Sequence, residues 1–293
     1  MPAYKNQHFL PSGYLKYFSD DQLNCNRKSW VWRCDGEKML RVPIDSQCFG
    51  KYLYSKENPA ETEKIFQYRE EIYCRFVDMI RTGQEPPGKL FGDFFLCMVD
   101  LHLRNAIHKN LTGQEGIDAY NLRINMFLAR ILVCKSDGDF SIPTVREHIR
   151  SFWRMEIIRA PADIQFVTSD HPSVFTTCRN SSSSSSGALH LILLPIDLNN
   201  VAVAFDKRFL WLNKGIATPR DMDTFNVGQI QNAESCIYSS RFFGEQELRS
   251  VQTIFAKKNP PNCEVTAESW KLTMQYLPPE HHFSFMRLKP PRF

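Results

Sequence analysis

The apolar residues of this 293-residue chain change their spacing part-way along, and that change most limits what it can fold into. After Asn58-Pro59-Ala60-Glu61, Ile65, Tyr68, Ile72, Phe76 and Met79 recur every three to four positions, the period of one helix face. The opening tetrad has an Asn cap, Pro at the first helical position and Glu at the third, so it predicts a helix start. Residues 89–109, 116–135 and 144–158 repeat the helical pattern, separated by Pro-Gly and Asp-Gly loops. Thr144 with Glu147, and Thr218 with Asp221, fit capping boxes. Beyond 160 the pattern becomes that of strands. Residues 163–168 and 189–194 are near-continuous apolar runs of the kind buried on both faces, and 200–205 alternates less strictly.

A further helix is expected over 219–240, with Met222, Phe225, Ala233 and Ile237 on its apolar face. Upstream of the helical region, 29–34 and 38–42 flank Asp35-Gly36-Glu37, an Asp-Gly turn between β-rich runs, which predicts a hairpin. Together these segments predict an α+β chain: amphipathic helices packed on a mixed or antiparallel sheet, with an N-terminal β-hairpin. No linker-like stretch separates helical from β regions, so 1–293 reads as one domain. The six serines of 181–186 join two expected strands and read as a hairpin loop. The proline- and aromatic-rich tail reads as an extended surface wrap.

Composition narrows the function classes. Hydrophobic residues make up 43% and charged residues 23%, which is globular rather than disordered. A net charge of +4 and a pI near 8.5 permit phosphate contact. They fall short of the pI above roughly 9 of a dedicated nucleic-acid module. Nine cysteines, with no CxxC or CxxH pair, argue against a structural zinc site and for reduced thiols. No run approaches the ~20 apolar residues of a membrane span, and no signal-like start is present, so the expected location is the cytoplasm with no membrane partner. P-loop, GxGxxG, GxSxG, HExxH and kinase signatures are all absent, which leaves the cofactor, and any metal in a site of scattered residues, open.

Polar residues interrupt the apolar pattern at three places. In Thr168-Ser169-Asp170-His171-Pro172 a buried strand stops abruptly. Asp170 there is either an acid–base or metal-ligating group beside His171, or the acceptor of an Asx-type turn. Glu156 falls at the centre of the helical stripe of Val145, Ile149 and Phe152. It is therefore a carboxylate with a raised pKa, a paired carboxylate, or a residue beyond the helix end. Asn226 and Gln229 lie on the apolar side of the 219–240 helix, binding a ligand or tying the helix to the sheet.

The same segments resemble a family. Gln7-His8-Phe9-Leu10-Pro11-Ser12-Gly13-Tyr14-Leu15-Lys16-Tyr17-Phe18 is similar to the start of the uncharacterised, mostly bacterial domain of unknown function 4238. Leu101-His102-Leu103-Arg104-Asn105-Ala106 resembles its arginine motif, with Ala106 where Pro is common. Thr168-Ser169-Asp170-His171-Pro172 resembles its Thr-Ser-Asp-Asn-Pro signature, with His171 in place of Asn. Leu194-Pro195-Ile196-Asp197 resembles its Pro-Leu-Ser-Pro turn with two departures, and Asn226 and Tyr238 match a spaced Asn and Tyr. The resemblance spans about 7–243 and leaves 244–293 as a C-terminal extension. It implies sites but no reaction. Two readings follow. One is a hydrolase of nuclease or phosphoesterase type acting on nucleic acid or a nucleotide, with Asp170, His8 and Glu156 catalytic and Arg104, Asn226, Gln229 and His171 holding substrate. The other is a non-catalytic ligand-binding or protein-interaction module.

Overall fold

The computed structural model describes residues 6–22, 26, 28–51, 59–104, 118, 142–177, 191–213, 215–257, 275–276 and 283–288. The chain begins with β1 (Asn6–His8) and a single helical turn, α1 (Ser12–Leu15). The expected hairpin follows as β2 (Trp30–Cys34) and β3 (Met39–Pro43), paired antiparallel from Trp30 with Pro43 to Cys34 with Met39. Its turn needs Gly36. The φ of +87° is left-handed, and a Cβ there would come within 2.9 Å of Phe255. β4 (Phe49–Lys51) returns to pair with β1.

α2 (Pro59–Arg81) starts at the predicted proline; Asn58 lies outside the described residues. α2 packs on α3 (Gly88–Leu103) through Phe76 and Phe94, whose rings stack at 3.7 Å. The buried face of α2 differs from the expected one. Phe66, Tyr73, Phe76 and Val77 are inside, while Tyr68 is 62% exposed. Ile72 and Met79 pack at the margin, and the side chain of Ile65 is outside the described set. Of the expected stripe, Phe76, Ile72 and Met79 thus pack on the core, and the departure is Tyr68, which Phe66 and Tyr73 replace on the buried side.

The expected 144–158 helix is two elements. α4 (Ile142–Phe152) ends where Trp153 enters the core, and β5 (Trp153–Arg159) continues as a strand. The helix starts before Thr144, so Thr144 is not its cap. β5 pairs along its whole length with β9 (Asn200–Asp206), and this ladder outweighs the local helical pattern. β7 (Val174–Thr177), β8 (Leu191–Pro195) and β9 complete an antiparallel sheet, which β12 (Gln275–Tyr276) extends in parallel, giving the order β12-β7-β8-β9-β5. Every residue of β8 and β9 is buried. One face of this sheet, with Ile192, Leu194 and Ala204, packs under α2 and α3. The other, with Leu193, Val203 and Phe205, packs under α5 (Pro219–Asn232). Coverage on both faces explains why β8 reads as a continuous apolar run, and it buries β9 as well although its sequence reads as alternating.

The expected 163–168 strand survives only as β6 (Thr168–Ser169), because most of that run is bonded to loops and side chains instead. The expected 219–240 helix stops at Asn232, and Ile237 and Tyr238 lie in β11 (Ile237–Ser239). β11 joins β2 and β6 in a four-stranded antiparallel sheet, β3-β2-β11-β6. α6 (Glu245–Lys257) covers it beside α5, burying Cys34, Ile237 and Val251. The Thr218 capping box forms as predicted. The Asp221 carboxylate also accepts from the Ser284 backbone N–H and hydroxyl, pinning the segment before β13 (Met286–Leu288), which pairs with β10 (Leu210–Leu212). The expected 116–135 helix (apart from Asp118), the serine run 181–186 and most of the tail lie outside the described residues. Among the described residues no helix is long and apolar enough to cross a membrane.

Candidate functional site

Asp170 stands at the end of β6 and is 1% exposed. Its Oδ1 accepts the Glu234 N–H at 2.8 Å. Its Oδ2 accepts the Ser235 N–H at 2.8 Å and the Ser235 hydroxyl at 2.6 Å. These donors belong to the loop that ends α5, so one carboxylate stops the helix and turns the chain into β11. His171 is buried beside it. Its Nε2 is 3.2 Å from the His102 carbonyl, to which it donates, and the His102 Nδ1 donates to the Ser173 carbonyl at 2.8 Å. The His102 ring stacks on Phe175 at 3.7 Å.

α5 presents three amides at a three-residue spacing to the backbone of 165–172. Asn226 accepts from the Val167 N–H at 3.1 Å and donates to the Gln165 carbonyl at 3.2 Å. Gln229 donates to the Pro172 carbonyl at 2.8 Å and accepts from the Ser169 hydroxyl at 3.1 Å. Asn232 donates to the His171 carbonyl. The first two tie the helix to the segment around β6. Sequence reasoning missed the third, although its spacing from Asn226 and Gln229 was the available signal.

His8 and Arg104 form a second group. Arg104 is 3% exposed, lies 3.9 Å over the Phe66 ring, pairs with Asp100 at 3.3 Å and donates to the His8 carbonyl. Asp100 also pairs with Arg69. The His8 ring bonds instead to the Gln47 carbonyl at 3.1 Å. Asp100 and Arg69 carried no sequence signal beyond helix polarity. Cys48 links the two groups: its carbonyl accepts the Phe9 N–H, and its Sγ lies 2.9 Å from the Tyr238 hydroxyl. Cys236 bonds to the same hydroxyl. Burial, followed by the Asp170 charge, pushes its thiol up to about 12, and burial raises Cys48 as well, so neither is a ready nucleophile.

Glu156 joins neither group. It pairs with Val203 in the ladder and alternates with Met155 and Ile157, so its side chain leaves the sheet on the α5 side. The helix that carries Val145, Ile149 and Phe152 ends at Phe152, so Glu156 lies beyond its end, one of the alternatives the sequence left open. Asp170, His171, Asn226 and Gln229 thus come together, as do His8 and Arg104. Each of these contacts is internal to the fold. Among the described residues no group of three or more His, Cys, Asp and Glu is placed to hold a metal ion.

Beside Arg104 and Asp100 there is a cavity of about 10 Å3, and a wider one of about 480 Å3 lies on the outer side of Asn226, Gln165 and Val167. A polar groove of about 720 Å3 runs between the end of α2 and the end of β5, lined by Gln22, Arg81, Thr82, Arg159, Asp197 and Asn199 among others. Arg81 closes α2, its guanidinium 5.5 Å from the Tyr17 ring and bonded to the Gln22 carbonyl. Arg159 is exposed, and its backbone is held by Gly215 and Ala217. Asp197 accepts from the Asn199 N–H at 2.7 Å and from the Asn200 amide at 3.0 Å. Burial nevertheless holds its carboxyl above the usual range, against these bonds and Arg81. Neither arginine stood out in the sequence; Asp197 did, as part of the Pro195 turn.

Comparison of the chain with protein-family models, curated proteins and solved structures finds no match. The site is therefore read from its own chemistry.

Proposed function

We propose that this chain is a non-catalytic ligand-binding protein that takes a small phosphate ester in the groove at Arg81 and Arg159. The observation that carries this reading is that two arginines, Arg81 and Arg159, line one open polar groove away from the buried network. Guanidinium groups suit phosphate oxygens because their N–H donors form a rigid fork. The buried network suits chemistry less well. A general base has to reach a substrate proton, and the Asp170 carboxylate already accepts three bonds with 1% of its surface exposed. The motifs that resemble domain of unknown function 4238 serve, in this reading, to build the interior. Five free cysteines among the described residues fit a reducing compartment such as the cytoplasm.

The test is calorimetric titration of the full chain with orthophosphate and with nucleoside monophosphates. Binding is expected, weakened at least tenfold by Arg81→Ala and again by Arg159→Ala, with melting temperatures unchanged. The hydrolase reading gains if incubation with a nucleotide or oligonucleotide releases product and a folded Asp170→Asn variant does not. Such a result would overturn the non-catalytic assignment.

A further inference from the structure

The groove at Arg81 and Arg159 does not end at Arg159. A second cavity of about 380 Å3 shares Ile80, Gly83 and Arg159 with it and continues between the α2–α3 connection and β5. The two arms differ in chemistry. The first is lined by arginines, amides and a carboxylate. The second has Phe76, Ile80, Phe91, Met155 and Ile157 as apolar walls, with Gln84, Glu85 and Glu156 among its polar lining residues. Phe91 is partly buried against the core, so its ring is held while one side lines the cavity.

Resting on the phosphate reading above, we propose that the ligand is a nucleotide, with its phosphate between Arg81 and Arg159 and its base in the second arm. A base has apolar faces and a polar edge. Apolar walls ending in an amide and a carboxylate match that distribution, because the faces pack on Phe91 and Ile157 while the edge meets Gln84 and Glu85. A sugar phosphate leaves the apolar arm empty. An alkyl phosphate fills the walls but leaves Gln84 and Glu85 unmatched.

The experiment compares orthophosphate, ribose 5-phosphate, hexyl phosphate and the common nucleoside 5′-monophosphates by calorimetry on the full chain. At least one nucleotide is expected to bind at least tenfold more tightly than ribose 5-phosphate. Phe91→Ala is expected to erase that difference while leaving ribose 5-phosphate affinity unchanged. If Phe91→Ala fails to fold, Phe91→Leu keeps the packing but removes the flat ring, and Gln84→Ala tests the polar lining; each is expected to reduce nucleotide affinity alone. Equal affinity for ribose 5-phosphate and every nucleotide overturns the base assignment and spares the phosphate site. Hexyl phosphate binding as tightly as the best nucleotide overturns it in favour of an alkyl occupant. If no phosphate compound binds, the phosphate reading itself fails.

Discussion

Asp170→Asn isolates the role of a buried carboxylate that accepts three hydrogen bonds. The side chain keeps its shape but exchanges one acceptor oxygen for an NH2 donor. In the better orientation the remaining oxygen faces the Ser235 N–H and hydroxyl, and the new amide faces the Glu234 N–H. Two donors then confront each other. One bond to a charged acceptor is lost, at about 1.5–3 kcal/mol, and the other two become neutral bonds of roughly half the strength. The total is on the order of 3–6 kcal/mol. At roughly 2–4 °C per kcal/mol for chains of this size, the melting temperature should fall by about 6–24 °C. Urea denaturation followed by circular dichroism should show a lower midpoint with an unchanged slope. A variant melting within 1 °C of the parent would refute the claim that these bonds hold the α5–β11 turn.

The remaining predictions concern other parts of the structure. Gly13→Ala should destabilise by about 1–3 kcal/mol, because an added Cβ would lie 2.1 Å from Glu70 Oε1, which accepts the Gly13 N–H at 2.7 Å; Glu70→Ala should remove most of the further effect in a double-mutant cycle. Two carboxylates should give opposite pH dependences in thermal melts. Burial raises the Asp221 carboxyl, but bonds from Ser284 and Thr218 outweigh it and hold the group below the usual range. Its contribution is therefore present above the unfolded value of about 3.9 and lost as pH falls through the folded one, so the melting difference between parent and Asp221→Asn should shrink in acid. Asp197 is raised by burial, so stability falls as pH rises from about 3.9 through its folded value, and Asp197→Asn should lack that decline. Cys97 and Cys236, both buried and raised by burial, should react with a thiol reagent only after denaturant is added; rapid labelling of either in the native protein would contradict their placement.

The elements that were legible in the sequence are those where local and tertiary preferences agree. The Asp35-Gly36 turn, the Pro59 start, the Thr218 cap and the two-sided burial of β8 all followed from spacing and turn chemistry. Residues 153–159 did not, because alternation at Met155, Glu156 and Ile157 is too short to outvote a preceding helical stripe until β9 supplies the ladder. The end of α5 was hidden for a related reason. Its stop signal is Asp170, 62 residues before Asn232, and no local pattern records that contact. Of the polar residues singled out in the sequence, Asp170, His171, Asn226 and Gln229 gather in one place and His8 and Arg104 in another, in both cases through internal bonds, while Glu156 stands apart in the β5–β9 ladder. Arg81 and Arg159 went unnoticed because an isolated arginine at an element's end reads as an ordinary solvated one.

The central claim, that ligand enters at the groove and not at the buried network, is tested most directly by NMR of the arginine Nε–H resonances. The full chain is titrated with the tightest-binding nucleoside monophosphate. The account predicts that Arg81 and Arg159 shift together and saturate at one stoichiometry while Arg69 and Arg104 stay fixed. A saturable shift at Arg104 with Arg81 and Arg159 unmoved would contradict it.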